Sequence, residues 1–191
     1  MQILLDRILK DGKVLASGIL KVDSFMNHQI DPVLMKEIGI EFARIFSSTK
    51  PTRILTAESS GIAPALSTAM ALEIPIVFAR KNKPVTMAGA EYRESAPSHT
   101  HGGVVDLVVS SEYLNKDDRI LILDDFLATA NTLRALFRLA ESSGARVVGI
   151  GAVIEKSFEG GRESLKSTGV LVESLAVIDR FEDNRVIFAA K

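Results

Sequence analysis

The sequence predicts an α/β fold in which a central, mostly parallel sheet is flanked by helices. Several segments are apolar throughout, as is typical of strands that are buried on both faces of a sheet. Segments with apolar residues at helical spacing lie between them. This alternation of strands and helices is typical of a parallel sheet. With 191 residues, the chain has room for one ordinary domain.

The predicted elements begin with an amphipathic helix over residues 1–12 and a short extended stretch over residues 19–29. A second helix begins at Asp31 and Pro32, because a capping residue followed by proline is a helix start, and it runs to about Phe46. The remaining predicted strands cover residues 53–57, 76–79, 104–109, 119–123 and 147–154, the helices cover residues 61–72 and 133–143, and shorter strands and turns cover residues 170–188.

Composition excludes several classes of function. The chain has 23 Lys and Arg against 24 Asp and Glu, so its net charge of −1 disfavours a strongly electrostatic nucleic-acid binder. The absence of cysteine excludes disulfides, thiol catalysis and cysteine metal sites. Charges within residues 1–12 interrupt the apolar core that a signal peptide needs, and no apolar run approaches the ~18 residues of a membrane span. We expect a cytoplasmic protein with no nucleic-acid or membrane partner.

The most informative segment begins where the apolar run 119–123 ends in Asp124 and Asp125. Ligands of open α/β sheets bind beyond the carboxyl ends of the strands. A helix follows here, and its N-terminus suits a phosphate, while adjacent carboxylates suit sugar hydroxyls or a magnesium ion. The candidate phosphate loop consists of Ala128, Thr129, Ala130, Asn131 and Thr132. The alternative is that Asn131 or Thr132 merely caps the helix and that the acids are solvated.

Two other strand ends carry polar residues. Ser59 and Ser60, followed by Gly61, can present hydroxyls and backbone N–H groups to an anion. Arg80 and Lys81 form a cationic cluster after the next strand. Taken alone, the first would be an ordinary helix cap and the second a solvated surface patch.

A long polar break covers residues 81–103. Such breaks in α/β domains are usually lids or binding loops, and a surface hairpin with a mobile tip is the alternative. His99 and His101 lie in this segment, and two histidines alone do not make a structural metal site. We therefore expect them to be residues of the lid.

Residues 120–132 resemble the phosphoribosyl-pyrophosphate signature of the type I phosphoribosyltransferases: an apolar strand, two acids, two apolar residues and a loop of small and hydroxyl residues. The family usually has glycine at the centre of this loop, where Ala130 and Asn131 stand here. The resemblance implies that Asp124 and Asp125 are catalytic residues that hold the ribose, and that residues 128–132 hold the 5′-phosphate. It also implies that the pyrophosphate is bound by Ser59, Ser60, Arg80 and Lys81, with Mg²⁺ bound through the substrate rather than by the protein alone.

Residues 20–32, 58–64 and 154–158 further resemble the bacterial xanthine phosphoribosyltransferases, over nearly the whole chain and least in residues 88–103. This resemblance implies transfer of the phosphoribosyl group to N9 of xanthine, a homodimer, and a small hood made by about residues 1–35 and the C-terminal segment. The purine would be held by Leu20, Asn27 and Lys156. The chemistry agrees, because a lysine ammonium donates hydrogen bonds and a 6-oxopurine presents carbonyl acceptors.

Alternatives remain at this point. Hypoxanthine-guanine enzymes carry an aspartate where Ala128 stands, whereas adenine enzymes share alanine followed by threonine there and a pair like Arg80 and Lys81. Guanine and hypoxanthine remain alternative substrates, with Ala128 as the feature against hypoxanthine, and adenine is the second candidate, with Lys156 as the feature against it. Either Phe126 or Phe158 could stack on the base, although phenylalanine is more often a core residue. A regulator that senses phosphoribosyl pyrophosphate is the alternative that is not an enzyme.

Overall fold

A computed structural model describes residues 1–15, 18–83, 85, 87, 89–97 and 103–190. The helices are α1 (Gln2–Asp11), α2 (Pro32–Phe46), α3 (Ile62–Leu72), α4 (Asn131–Ser142) and α5 (Gly161–Leu165). The strands are β1 (Lys13–Val14), β2 (Leu20–Lys21), β3 (Arg53–Ala57), β4 (Ile76–Ala79), β5 (Glu91–Pro97), β6 (Val104–Ser110), β7 (Arg119–Leu127), β8 (Arg146–Lys156), β9 (Val172–Glu182) and β10 (Arg185–Phe188).

The central sheet has six strands in the order β10-β9-β8-β7-β3-β4. All neighbouring pairs from β9 to β4 are parallel, and β10 pairs with β9 in the antiparallel sense. One buried cluster packs α1, α2 and α3 on the sheet, and a second packs α4 and β6. The predicted fold class, a mostly parallel sheet flanked by helices, is confirmed.

The N-terminal segment packs on the C-terminal strands. Helix α1 contacts β9 and β10, and the N-terminal ammonium donates a hydrogen bond to the Leu175 carbonyl at 3.0 Å. The extended stretch predicted for residues 19–29 is wrong beyond β2, because Asp23–Asn27 forms a π-helical turn. This turn is stabilised by burial of Val22, Phe25 and Met26, whose spacing is helical rather than alternating.

The described part of the long polar break contains β5, which pairs with β6 as an antiparallel hairpin. The end of β4 joins this hairpin, because Arg80 and Val108 exchange backbone hydrogen bonds of 2.9 and 2.8 Å. The Arg138 side chain of α4 donates to Glu94 of β5 at 2.7 Å. The described residues of this segment thus contain one strand of a hairpin, while His99 and His101 lie outside the described residues.

Strands β7 and β8 are longer than the sequence predicted, and β8 ends at Lys156 rather than at residue 154. Strand β7 continues to Leu127 instead of ending before Asp124, because its pairing with β8 continues through Asp124, Phe126 and Leu127. The tail, predicted as shorter strands and turns, forms one long strand of 11 residues, β9, followed by the short strand β10. None of the described helices has the length and apolarity needed to cross a membrane.

Candidate active site

The carboxyl ends of four neighbouring parallel strands, β4, β3, β7 and β8, meet at one edge of the sheet. The predicted site residues on the core strands lie at this edge. Arg80 and Lys81 follow β4, Ser59 and Ser60 follow β3, and the phosphate loop follows β7. Lys156 is the last residue of β8. Segments that are as much as about 100 residues apart in the chain are therefore neighbours at one edge, as the topology of open α/β sheets requires.

Asp124 and Asp125 lie in the last part of β7 and are buried, with only 7% and 8% of their surface exposed. The Asp125 backbone N–H donates to Asp124 Oδ1 at 3.0 Å. Burial raises the pKa of Asp124 well above its ordinary value, the neighbouring Asp125 adds to the rise, and the positive charge of Lys81 opposes it. The sheet edge thus holds a buried carboxyl, that of Asp124, whose charged form is disfavoured by its surroundings.

The loop after β7 leads directly into α4. No side chain caps the first turn of α4, so the interpretation of Asn131 or Thr132 as a mere helix cap is wrong. The Asn131 side chain instead accepts a hydrogen bond of 2.7 Å from Arg134. The uncapped N–H groups and the positive end of the helix dipole remain available to an anion.

Ala130 precedes α4 in the left-handed conformation, with φ 64° and ψ 17°. This conformation favours glycine, because a Cβ atom is strained there. It explains physically why glycine is the usual residue at the centre of this loop. The chain therefore departs from the type I signature in residue type, while its backbone has the conformation that glycine favours.

Gly61 lets the loop after β3 approach the acid pair. A Cβ atom at this position would overlap Thr56 Oγ1 and would lie 2.9 Å from Asp124 Oδ1. The Thr56 hydroxyl is itself fully buried and has no hydrogen-bond partner within the described residues. The Glu58–Ser59 peptide bond in this loop is cis. Gly61, directly after Ser59 and Ser60, is thus the residue of this loop that lies against Asp124.

Glu58 organises the cationic cluster. Its carboxylate forms an ion pair of 2.7 Å with Arg80 Nε and accepts a hydrogen bond of 2.7 Å from the Lys81 backbone N–H. The Arg80 guanidinium also lies 5.7 Å from the centroid of the Phe78 ring. Sequence reasoning missed this role of Glu58, although the residue stands in the same short motif as Ser59 and Ser60.

Lys156 connects the end of β8 with the N-terminal segment. Its side chain is only 8% exposed, and its ammonium donates to Glu159 Oε1 at 3.0 Å and to the Gly18 carbonyl at 3.4 Å. The ammonium lies 5.9 Å from the centroid of the Phe181 ring. Glu159 and Phe181 were not predicted as site residues.

The structure does not join all predicted purine residues in one contact cluster. Leu20 is buried in β2, close in sequence to Gly18, which Lys156 contacts. Asn27 ends the π-helical turn and lines a cavity of about 790 Å³ between α2 and α3, together with Ser59 and Ser60. The rest of this cavity wall is mainly apolar, and Asp124, Asp125 and Lys156 are not part of it.

The two aromatic candidates differ in exposure. Phe126 packs against the hydrophobic core, whereas half of the surface of Phe158 is exposed. Phe158 also makes an edge-to-face contact with Phe181, with 5.4 Å between the ring centroids. Phe158 is therefore the more accessible ring and lies next to the Lys156 region.

A second buried acid, Glu155, lies directly before Lys156 at the end of β8. Glu155 is 1% exposed and is bound by the guanidinium of Arg162, which also donates to the Val172 carbonyl at 2.7 Å. The carboxylate raises the pKa of Arg162. Gly161, the first residue of α5, packs so closely on the Ala128 carbonyl that a Cβ atom would overlap it. This contact ties the phosphate loop to the turn that follows Lys156.

Within the described residues, no group of three or more His, Cys, Asp or Glu side chains could hold a metal ion. Asp124 and Asp125 offer oxygen ligands of the kind that Mg²⁺ prefers, but Mg²⁺ needs six. The residues present therefore suit a magnesium ion that receives its other ligands from a substrate and water.

Comparisons with known proteins agree with this geometry. A family model described as phosphoribosyl transferase domain matches residues 28–176. A xanthine phosphoribosyltransferase of Deinococcus deserti is 52% identical over 96% of this chain and 95% of its own. One of Lactobacillus delbrueckii subsp. bulgaricus is 49% identical over 98% of this chain and 100% of its own.

Solved structures share the fold. The adenine phosphoribosyltransferase of Rhodothermus marinus has a TM-score of 0.76 at 22% identity, covering 93% of this chain and 100% of its own. That of Giardia lamblia, solved with 9-deazaadenine, has a TM-score of 0.76 at 18% identity, covering 91% and 96%. At this identity the likeness concerns the fold alone. The chain belongs to the phosphoribosyltransferase family, among the relatives of the xanthine phosphoribosyltransferases.

Proposed function

We propose that this protein transfers the 5-phosphoribosyl group of phosphoribosyl pyrophosphate to N9 of xanthine. A bond forms between N9 and C1 of the ribose, the bond from C1 to the pyrophosphate oxygen breaks, and the base loses a proton. The products are xanthosine 5′-monophosphate and pyrophosphate. The observation that carries the proposal is the buried ammonium of Lys156 on the strand next to the acid pair of β7. The names of the relatives with 45–52% identity support it.

The sugar and its 5′-phosphate are assigned to β7 and α4. Asp124 and Asp125 accept hydrogen bonds from the ribose hydroxyls, which would compensate the charge that burial leaves costly. The uncapped first turn of α4 and the hydroxyls of Thr129 and Thr132 bind the 5′-phosphate, and Ala128, Ala130 and Asn131 complete the loop.

The pyrophosphate is assigned to the neighbouring strand ends. Ser59 and Ser60 donate hydrogen bonds to it, and Arg80 and Lys81, aligned by Glu58, supply positive charge. Mg²⁺ bound through the substrate supplies further positive charge that stabilises the leaving pyrophosphate. Asp124 and Asp125 are the described residues that could contribute ligands to it.

The purine is assigned to Leu20, Asn27 and Lys156. Leu20 forms an apolar wall, Asn27 matches the 2-oxo group because an amide can donate, and Lys156 donates to the 6-oxo group. Adenine would present an amino group to this ammonium, donor against donor. Ala128 offers no general base, which suits xanthine because it is the most acidic of the common 6-oxopurines.

Catalysis then depends on alignment, charge and exclusion of water, since the transition state is oxocarbenium-like. The acid pair beside the ribose favours positive charge on the sugar. The hood of about residues 1–35 and the C-terminal segment covers the base, and the lid of residues 81–103 closes over the site during turnover. We expect this reaction in the cytoplasm.

We also propose a homodimer. Ile40, Leu66 and Met70 on α2 and α3 are 47%, 48% and 72% exposed, and they line the same cavity as Ser59 and Ser60. An exposed apolar face of this kind typically marks a protein interface. A second copy docked there would cover the pyrophosphate loop.

The test is release of pyrophosphate from phosphoribosyl pyrophosphate and Mg²⁺ with each of xanthine, guanine, hypoxanthine and adenine. We expect the highest kcat/KM with xanthine, and Lys156→Ala should lower it most for the 6-oxopurines. The matched control is Lys166→Ala, because Lys166 also pairs with a glutamate three residues away but is exposed. No release with any base would refute an enzymatic function, and preference for adenine would refute the role of Lys156.

A further inference from the structure

The ammonium of Lys156 has a fixed direction. A lysine ammonium has three N–H donors. In this structure two of them donate hydrogen bonds, to Glu159 Oε1 at 3.0 Å and to the Gly18 carbonyl at 3.4 Å. Among the contacts of the described residues, one donor is left for a ligand. Because both side chains are largely buried, with 8% and 19% of their surface exposed, the pair is shielded from water on most sides.

Glu159 is itself held in place by the turn that carries it. The turn Ser157–Glu159 ends at Gly160, which adopts φ 74°, and the Ser157 hydroxyl donates to the Ile178 carbonyl of β9 at 3.0 Å. The carboxylate therefore stands beside the lysine as part of a folded turn, not as a side chain that happens to reach it.

A 6-oxopurine presents two adjacent groups on the edge that faces such a pair. The 6-oxo group accepts a hydrogen bond, and the neighbouring N1–H donates one. Lys156 can serve the first group but has no acceptor for the second. An N–H group buried without an acceptor is costly, so a site for this edge needs an acceptor next to the donor. The carboxylate 3.0 Å from the lysine ammonium has this chemistry and spacing.

We propose that Glu159 is a specificity-determining residue that accepts the N1–H of the purine while it holds Lys156 in line with the 6-oxo group. This inference rests on the proposed function. Lys156 and Glu159 together match a base edge that has an acceptor at position 6 and a donor at N1. Adenine has the opposite pattern, an amino donor at position 6 and a lone pair at N1. The carboxylate would repel that lone pair, so the two residues together reject adenine.

The test compares xanthine with 1-methylxanthine, which keeps the 6-oxo group and lacks N1–H. For the native protein we expect kcat/KM to be about ten- to hundredfold higher with xanthine, the range for a hydrogen bond to a charged group. Glu159→Met keeps the length of the side chain without a good acceptor. Any loss that comes from displacement of Lys156 is shared by both bases, so Glu159→Met should lower kcat/KM for xanthine by about that factor more than for 1-methylxanthine, and the ratio should fall toward one. Glu159→Gln retains an acceptor oxygen and should give an intermediate ratio.

The ratio of kcat/KM for xanthine to that for 1-methylxanthine reports recognition of N1–H, and it is insensitive to the folded fraction and to the position of Lys156. Both bases are measured on the same preparation, so the folded fraction cancels, and a displaced Lys156 affects both bases equally because both carry the 6-oxo group. Glu163→Met is the control, since Glu163 forms an exposed pair with Lys166 at the same spacing in the chain; its ratio should equal the native one. A native ratio in Glu159→Met would overturn the inference about Glu159 alone, whereas a native protein without xanthine turnover would overturn the proposed function.

Discussion

Substitution of Gly61 by alanine tests how closely the pyrophosphate loop must approach the acid pair. The backbone of Gly61, with φ −69° and ψ −17°, is open to alanine, so the added methyl group is the main perturbation. That methyl would overlap Thr56 Oγ1 and would lie 2.9 Å from Asp124 Oδ1. Both neighbours are short side chains on buried strands and cannot rotate away into solvent.

Overpacking of this kind typically lowers the free energy of unfolding by about 1–3 kcal/mol. For a chain of 191 residues this corresponds to a decrease in Tm of about 2–12 °C. Because the methyl group also displaces Asp124, we expect kcat to decrease beyond the loss of folded protein, by about tenfold or more, since small misplacements in an active site are costly.

The assay is thermal unfolding together with kcat at a temperature where each variant is folded. Gly149→Ala is the matched control, because its methyl would lie 2.7 Å from the Phe46 ring in the core, away from the carboxyl pair. It should lower Tm to a similar extent and leave kcat nearly native. Thr56→Ala combined with Gly61→Ala should recover part of the lost stability, because the overlap with Thr56 is removed. A native Tm and kcat for Gly61→Ala would refute the close packing inferred here.

Three further predictions concern the acid pair, the phosphate loop and the apolar face. The raised pKa of Asp124 means that the folded state retains a proton which the unfolded state releases, so stability falls as pH rises from the ordinary aspartate pKa toward the raised one. Asp124→Asn should therefore raise the free energy of unfolding at pH 7 by about 0.5–2 kcal/mol, lose activity, and show a smaller gain near pH 4 in chemical denaturation; equal stability at pH 7 would contradict the burial argument. Ala130→Gly should fold and turn over like the native protein because φ is 64°, whereas Ala130→Val should lower Tm; equal Tm values for the two variants would contradict the left-handed conformation. Leu66→Glu with Met70→Glu should give a monomer in analytical ultracentrifugation, and a dimer that withstands both changes would place the interface elsewhere.

The sequence predicted the sheet well because its strands carry local signals. The apolar runs at β7 and β8 and the shorter apolar stretch at β3 are sufficient to indicate buried parallel strands, and the topology then brings their ends together. Periodicity could not show that β7 continues through Asp124 and Asp125, because two acids normally end a buried strand. Burial of both side chains at the strand end is visible only in the folded chain.

The partners of the site residues were less predictable, since they depend on long-range contacts. Lys156 contacts Gly18 across 138 residues of sequence, and Glu58 meets the backbone of Lys81 across 23. Glu159 lies only three residues from Lys156, yet a charged pair at this spacing is usually a solvated surface pair. The low exposure of both side chains distinguishes it from such a pair.

A competition assay tests the central claim most directly. The protein is mixed with phosphoribosyl pyrophosphate, Mg²⁺ and equal concentrations of xanthine, guanine, hypoxanthine and adenine. The nucleotides formed are separated by chromatography and identified and quantified by mass spectrometry. The account predicts that xanthosine 5′-monophosphate is the main product at early times. Adenosine 5′-monophosphate as the main product, or no nucleotide at all, would contradict it.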